Sequence, residues 1–309
     1  MRDVRGPSTV GPIRRSDAPS PSVAFPRPDL RAAVRKLARE AAYELIPLKG
    51  LDEKLAVLPV LTTVTVTSSV KLGLGRTLEQ SLRAAAAGYR VVPHLPARQV
   101  RDAAELRDFV GRIRDAGITD LYVIGGDAPE PLGPYRSAAE LLAELGCMDH
   151  GLTEIGVACY PEGHPSIPDD VLLAALLDKQ PLATYMCSQL CFGGDALVGW
   201  LRSTRAEGVT LPLHLGIAGP LSILKLAELS VRIGVGASVK YLTKQHGLVG
   251  SLLRGSSYEP EELLLGIGEE LVSPALDISR LHLCTFNQVG ATRDWQLRIE
   301  EEGWGGPEY

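Results

Sequence analysis

The sequence of 309 residues lacks the marks of several large classes of protein. No apolar run approaches the roughly 20 residues that cross a bilayer, and the first residues contain no apolar core of a secretory signal. The formal net charge is −5, so no basic field favours nucleic acid or a membrane surface. We therefore expect a cytoplasmic protein that binds small molecules, with neither nucleic acid nor a membrane as partner.

Cysteines and the common catalytic motifs are also scarce. The five cysteines are an odd number and predict buried reduced thiols rather than a disulfide framework. There is no Walker loop, no Gly-x-Ser-x-Gly elbow and no His-Glu-x-x-His helix. Cys187 and Cys191 have a spacing that zinc tolerates, with His214 or Cys159 as further ligands. No second thiol or histidine pair accompanies them, so we expect no metal.

The sequence does contain a regular alternation of short apolar runs and amphipathic stretches. The apolar runs predict strands at 42–46, 62–67, 90–93, 120–125, 154–159, 182–187, 211–216 and 280–285. The amphipathic stretches predict helices at 51–57, 77–87, 102–115, 136–145, 168–178, 195–206, 222–233 and 289–300. Eight strand–helix units predict an α/β fold, the (β/α)8 TIM barrel. A doubly wound sheet is the alternative, but the turn after the first strand lacks the glycine-rich dinucleotide fingerprint.

The remaining segments predict additions to this barrel. Residues 1–28 are rich in proline and show no period, which predicts a flexible arm before a single barrel domain at 29–309. Residues 29–40 predict a helix that can plug the bottom of the barrel. The stretch 234–274 is longer than one unit needs and predicts two extra helices before the last strand.

Polar residues follow several of the predicted strands, and the strands of such a barrel all end at one rim. Glu44 has apolar neighbours, so desolvation should raise its pKa and suit it to proton donation, although a pair with Lys49 is equally expected. Asp127 follows two glycines and can accept two hydrogen bonds from a guanidine-like edge, or simply form a turn. Gln189 offers an amide donor and acceptor that fit a lactam edge.

Two further features have competing interpretations. In the segment 160–165, Tyr160 can stack on a planar ligand and His164 can bond a phosphate or ribose, but the segment also fits a rigid turn between prolines. His214 and His282 alternate with leucines, which predicts structural histidines of the core or the bottom face.

Taken in order, these residues resemble the methylenetetrahydrofolate reductase family from about residue 43 to residue 287. The similar segments are Tyr43-Glu44-Leu45-Ile46-Pro47, Val64-Thr65-Val66-Thr67, Pro93-His94-Leu95, Gly126-Asp127, Tyr135, Tyr160-Pro161-Glu162-Gly163-His164-Pro165, Ser188-Gln189, Gly216-Ile217 and Thr285-Phe286-Asn287. The resemblance implies that Glu44 is the catalytic acid. It implies substrate binding by Asp127, Gln189 and Asn287, and cofactor binding by Thr67, His94, Tyr135, Tyr160 and His164.

The departures from the family pattern fall mostly where the family holds FAD or the folate tail. Ser68-Ser69-Val70 replaces Tyr-Gly-Ala, Gly125 replaces an arginine, and Gln288 replaces another. The basic helix keeps only Lys179, and an aliphatic region around Ile223 replaces an aromatic residue. This pattern resembles the divergent actinobacterial-type branch that works without flavin.

The resemblance implies reduction of 5,10-methylenetetrahydrofolate to 5-methyltetrahydrofolate, a step of one-carbon metabolism and methionine biosynthesis. We expect NADH or NADPH as the direct hydride donor, in a monomer or small homo-oligomer. FAD-dependent reduction is one alternative. A zinc-thiolate methyltransferase on the same barrel and a folate-binding barrel without catalysis are the others.

Overall fold

Eight parallel strands form a closed barrel in the computed structural model, which describes residues 30–222, 225, 257–258 and 260–302. The order around the barrel is β1-β10-β7-β6-β5-β4-β3-β2. These strands are β1 (Ala42–Leu45), β2 (Thr63–Val66), β3 (Arg90–Pro96), β4 (Asp120–Ile124), β5 (Glu154–Cys159), β6 (Tyr185–Ser188), β7 (Leu213–Ala218) and β10 (Ile278–Cys284). Two short strands, β8 (Leu221–Ser222) and β9 (Ser257–Tyr258), pair antiparallel outside the barrel. The predicted (β/α)8 fold is confirmed.

Helices separate the barrel strands. They are α1 (Leu30–Arg39), α2 (Leu51–Leu55), α3 (Leu74–Ala86), α4 (Ala103–Asp115), α5 (Ala138–Leu145), α6 (Asp169–Lys179), α7 (Gly194–Ala206), α8 (Glu261–Ile267) and α9 (Val289–Glu302). Side-chain caps fix two starts, since Asp102 accepts from the first turn of α4 and Ser137 from that of α5. The predicted sixth strand began at 182, but Gln180–Leu182 forms a 3-10 helix, so β6 begins later.

The helix α1 lies in the outer layer rather than across the barrel bottom. It packs against α9 and the 3-10 helix Gly268–Val272, and Gln296 Nε2 donates to the Ala38 carbonyl at 2.6 Å. The prediction of a bottom plug is therefore wrong, because the apolar face of α1 is used by α9. Of the two helices predicted within 234–274, α8 is described. The arm 1–28 and most of 222–256 lie outside the described residues.

The two faces of the barrel strands differ in chemistry. Outward residues are apolar and pack under the helices, where Phe109 of α4 and Trp295 of α9 are fully buried. The interior is polar instead, with these residues facing one small space: Thr63, Thr65, Asp120, Tyr122, Tyr185, Cys187, His214, Arg280 and His282. Barrels of this type usually fill that space with branched apolar side chains. No described helix is long and apolar enough to cross a membrane.

Candidate active site

A carboxylate and an imidazole meet inside the barrel on two neighbouring strands. Glu44 of β1 and His282 of β10 lie on strands that pair in parallel. The Glu44 Oε2 atom is 3.1 Å from His282 Nε2. The His282 side chain is 7% exposed and that of Glu44 is 22% exposed, so the carboxylate lies on the solvent side of the pair. Thr285 Oγ1 donates to the Glu44 carbonyl at 2.6 Å and fixes the end of β1.

Contacts with neighbouring side chains decide the charge of both groups. Burial alone would raise the pKa of Glu44, but the hydrogen bond and charge of His282, with help from His94 and Cys284, lower it. Burial alone would lower the pKa of His282, but contacts with Cys187 and Glu44 raise it to about 10. At neutral pH the pair is therefore a carboxylate and an imidazolium. The expected rise in the pKa of Glu44 is wrong, because the sequence does not show that His282 lies opposite.

His94 of β3 forms a cluster with Glu44 and His282. One carboxylate oxygen of Glu44 and one ring nitrogen of each histidine all lie within 4.8 Å of one another. The His94 ring makes an edge contact with Tyr122, with centroids 4.7 Å apart. Burial, and to a lesser degree His282, lower the pKa of His94 to about 4 despite the charge of Glu44, so this ring is neutral. His94 is 4% exposed, and its Nε2 has no hydrogen-bond partner.

The other predicted site residues follow the carboxyl ends of their strands, as expected. Thr67 lies just after β2, and its N–H donates to the Leu45 carbonyl at 3.0 Å. Asp127 lies just after β4 and is exposed. Gly126 precedes it with φ +88°, and a Cβ there would lie 2.7 Å from Pro96 Cβ. Only glycine fits this turn, which holds Asp127 at the rim.

Tyr160 and His164 form one corner of the same rim. Their rings meet edge to face, with centroids 5.1 Å apart. Burial, then the nearby Cys159 and Asp127, raise the pKa of Tyr160 to about 12, which places Asp127 within its electrostatic range. Glu162 Oε1 accepts from the N–H groups of Phe192 and Gly193 and ties this corner to the start of α7.

Three predicted ligand residues already have partners within the protein. Gln189 Oε1 accepts from the Leu190 N–H at 2.8 Å. Asn287 Oδ1 accepts from Ile46 N at 2.9 Å, and its Nδ2 donates to Ile46 O at 3.0 Å. Tyr135 is 6% exposed and belongs to the main hydrophobic core. Their roles toward substrate or cofactor stay predictions, and Asn287 would have to exchange its bonds to Ile46 for bonds to a ligand.

The thiol set required by a zinc-dependent methyltransferase does not come together in the described part of the chain. Cys187 and Cys191 join no group of three or more potential metal ligands there. Burial raises the pKa of the Cys159 and Cys191 thiols, which keeps both protonated at neutral pH. The five cysteines are free thiols. Four are buried as predicted, but Cys147 is exposed.

Comparison with known proteins identifies the family. A sequence model described as methylenetetrahydrofolate reductase matches residues 51–239, which is more than half of the chain. The chain belongs to the methylenetetrahydrofolate reductase family. Methylenetetrahydrofolate reductase 2 of Saccharomyces cerevisiae is 26% identical over 135 residues, which cover 40% of this chain and 22% of the yeast protein. An NH(3)-dependent NAD(+) synthetase of Lysinibacillus sphaericus is 37% identical over 67 residues, covering 20% of this chain and 24% of that protein.

The match to the methylenetetrahydrofolate reductase family covers the middle part of the barrel sequence. The matched span begins after β1 and ends before β10. Glu44 and His282 lie outside it, and barrel closure brings these two residues together beside His94 of the matched span. His282 is buried, as predicted for a core histidine, but its contact with Glu44 was not predicted. Its alternation with Leu281 and Leu283 was the available signal, because a residue between two outward leucines faces the interior.

Proposed function

We propose that this chain reduces 5,10-methylenetetrahydrofolate to 5-methyltetrahydrofolate, with NADH or NADPH as the direct hydride donor. The reaction consumes one hydride and one proton. Family membership supports the substrate class, and the Glu44–His282 pair supports the proton step. The observation that carries the proposal is the 3.1 Å contact between a carboxylate and an imidazolium that together hold one proton beside the rim.

The proton opens the five-membered ring of the substrate. Protonation of N10 breaks its bond to the methylene carbon and leaves an N5 iminium, which the hydride then reduces to a methyl group. Glu44 is the more exposed member of the pair and delivers the proton, while His282 supplies it across their hydrogen bond. After the turnover the pair consists of a carboxylate and a neutral imidazole. General acid assistance of this kind is typically worth about 10²–10⁴ in rate.

The rim residues orient the pterin. The Asp127 carboxylate accepts from the amino group and ring N–H of the pterin, and the amide group of Gln189 bonds to the lactam edge. Both follow strands on the side of the barrel opposite β1 in the strand order, so a pterin held by them can present its methylene carbon toward the barrel centre. Such positioning brings the carbon to near-contact distance from the nicotinamide.

We favour a nicotinamide over FAD because of the side chains that could contact a cofactor phosphate at the rim. Gly125 offers no side chain to a phosphate. Arg98 donates to the carbonyls of Ala128 and Pro129, and Lys179 donates to the carbonyl of Ala158. FAD must stay bound through every turnover and needs firm phosphate contacts, whereas NADH or NADPH is held only for one transfer. These three positions offer FAD few phosphate contacts, and we derive no step through it.

The test is an oxidation assay on the purified protein combined with its visible spectrum. We expect NADH or NADPH to be oxidised only when 5,10-methylenetetrahydrofolate is present, with 5-methyltetrahydrofolate as product and no flavin band. A stoichiometric flavin band would overturn direct transfer but leave the substrate. Binding of methylenetetrahydrofolate without oxidation of either nucleotide would overturn the enzymatic function.

A further inference from the structure

The barrel opens at its bottom end into a cavity of about 590 Å³. This cavity lies at the amino-terminal starts of the strands, opposite the rim that carries Asp127 and Gln189. Its lining includes the polar residues Arg90, Asp120, Glu154, Tyr185, His214 and Arg280. In (β/α)8 enzymes this end serves stability rather than catalysis. A lining with this many titratable groups needs another explanation.

A second, smaller cavity shares part of its lining with the first and lies on the side toward the active site. It has a volume of about 10 Å³, which is about the space that one water molecule occupies. Asp120 and Tyr185 line both cavities, while His282 and Cys187 line only the inner one. Thr65 also lines the inner cavity, and its buried Oγ1 has no hydrogen-bond partner. A water there would satisfy that hydroxyl and reach both Asp120 and His282.

Local packing holds Asp120 between the two cavities. The Tyr185 hydroxyl donates to Asp120 Oδ1 at 2.9 Å. The His214 ring stacks on Tyr185, with centroids 4.0 Å apart. The neighbouring strand carries Gly156, where a Cβ would lie 2.3 Å from the Tyr185 ring. Glycine at that position makes room for the tyrosine inside the barrel, and the tyrosine in turn fixes the carboxyl group of Asp120.

We propose that Asp120 and the inner cavity carry protons from solvent at the barrel bottom to His282. This proposal rests on the function proposed above. After each turnover the His282 ring is neutral. The proton that it gave up left from Nε2, the nitrogen that faces Glu44. The ring turns to bring Nε2 to the inner cavity, where the Asp120 carboxyl group gives it a proton through the cavity water, and then turns back toward Glu44. Asp120 is left as a carboxylate and takes a proton from water in the bottom cavity. One proton enters for each proton given to N10, so the cycle balances.

The charges around the path agree with this role. Burial raises the pKa of Asp120 to about 7, with Glu154 adding to the rise and Tyr185 and Arg280 opposing it. Asp120 therefore exchanges its proton near neutral pH. Groups facing His282 from the other strands are Glu44, His94, Tyr122, Cys187 and His214, and Arg280 of its own strand lies below it. A path from the bottom matters because folate and nucleotide together cover the rim during a turnover.

Asp120→Asn tests the path in the full-length protein. The amide keeps the shape of the side chain and still accepts from Tyr185, but cannot carry the proton. In rapid mixing with NADH and 5,10-methylenetetrahydrofolate, we expect a first turnover at the wild-type rate, because its proton is already stored on the Glu44–His282 pair. Later turnovers should slow by about tenfold or more, and small weak acids such as formic acid should restore part of the rate. Asp170→Asn is the matched control, since Asp170 is an exposed aspartate of α6 that lines neither cavity.

A second variant, Thr65→Val, removes only the hydroxyl that would hold the water. Its first turnover should also keep the wild-type rate, and its later turnovers should slow less than those of Asp120→Asn. Equal steady-state rates in wild type, Asp120→Asn and Thr65→Val would overturn the proton path. Equal slowing of the first and later turnovers in Asp120→Asn would also overturn it and indicate a structural role. An inactive wild-type protein would instead overturn the proposed function.

Discussion

Glu44 Oε2 and His282 Nε2 lie 3.1 Å apart on adjacent strands of a closed barrel. This contact decides which of the two residues holds the proton. A lone carboxyl group in an apolar strand would hold its own proton, but here the imidazole holds the proton and the carboxylate faces the more open side. Glu44 is then the route by which the proton leaves, and His282 is its store.

Replacing Glu44 by Gln should remove that route. We expect kcat to fall by about 10²–10⁴, because an amide cannot pass a proton from His282 to N10. The variant should still fold, since glutamine fills the same volume and can bond to His282, but urea unfolding should show a loss of stability because the imidazolium loses its charge partner. Glu53→Gln is the matched control, because Glu53 is exposed on α2, just beyond β1. Near-normal turnover of the Glu44 variant would remove Glu44 from the mechanism.

The pair should also set the pH dependence of stability. His282 has its pKa raised from 6.5 to about 10 in the folded protein. Its contribution to the free energy of unfolding is therefore full below pH 6.5 and disappears as pH rises through about 10. The pKa of Glu44 is lowered from 4.5, so its contribution is present above pH 4.5 and is lost as pH falls through the folded value.

Urea unfolding of wild type and of His282→Gln measures this pH dependence of the free energy of unfolding. The measurements run from about pH 4 to about pH 10.5, a range set by the two pKa shifts. The stability difference between the two proteins should be largest between pH 4.5 and pH 6.5. It should shrink as the pH rises toward the folded pKa of His282 and as the pH falls through the folded pKa of Glu44. The kcat of wild type should fall as pH rises toward the pKa of His282, and the variant should lose this limb. A constant stability difference across the range would show that the two groups do not share a proton.

Asn287 allows a structural role and a ligand role to be separated. Its amide makes two hydrogen bonds to Ile46, two residues after Glu44. We expect Asn287→Ala to lower the free energy of unfolding by about 1–3 kcal/mol and to lower kcat, with KM for the folate nearly unchanged. Asn287→Asp keeps the acceptor of the Ile46 N–H and should lose less stability. A large rise in KM at unchanged stability would make Asn287 a direct substrate ligand instead.

Periodicity was sufficient to predict the barrel. Apolar runs of β-branched and aliphatic residues stood where the strands are, and β5 (Glu154–Cys159) begins and ends as predicted. The start of β6 was wrong because Pro181 sits in a 3-10 turn whose apolar residues resemble a strand. The predicted packing of α1 against the barrel bottom was wrong because a helix with one apolar face packs equally well on α9 or on a barrel end.

The site was predictable only at its edges. A residue that follows a strand lies at the rim whatever its partners are, so Asp127, Tyr160 and Gln189 could be placed in advance. Whether Glu44 is charged depends on a histidine 238 positions away in the chain, and no local pattern contains that contact. The polar interior was hidden for the same reason, since Asp120, Tyr185 and His214 each look like single polar residues within apolar strands.

Transfer of deuterium from NADH or NADPH labelled at C4 tests whether the nicotinamide gives its hydride directly to the folate. Each C4 face is labelled in turn, and the product is analysed by mass spectrometry. Direct transfer predicts one deuterium in the methyl group of 5-methyltetrahydrofolate from one of the two faces, in a protein without bound flavin. Product formed without deuterium from either face would rule out direct transfer, because such a product requires an intermediate carrier whose hydrogen exchanges with solvent.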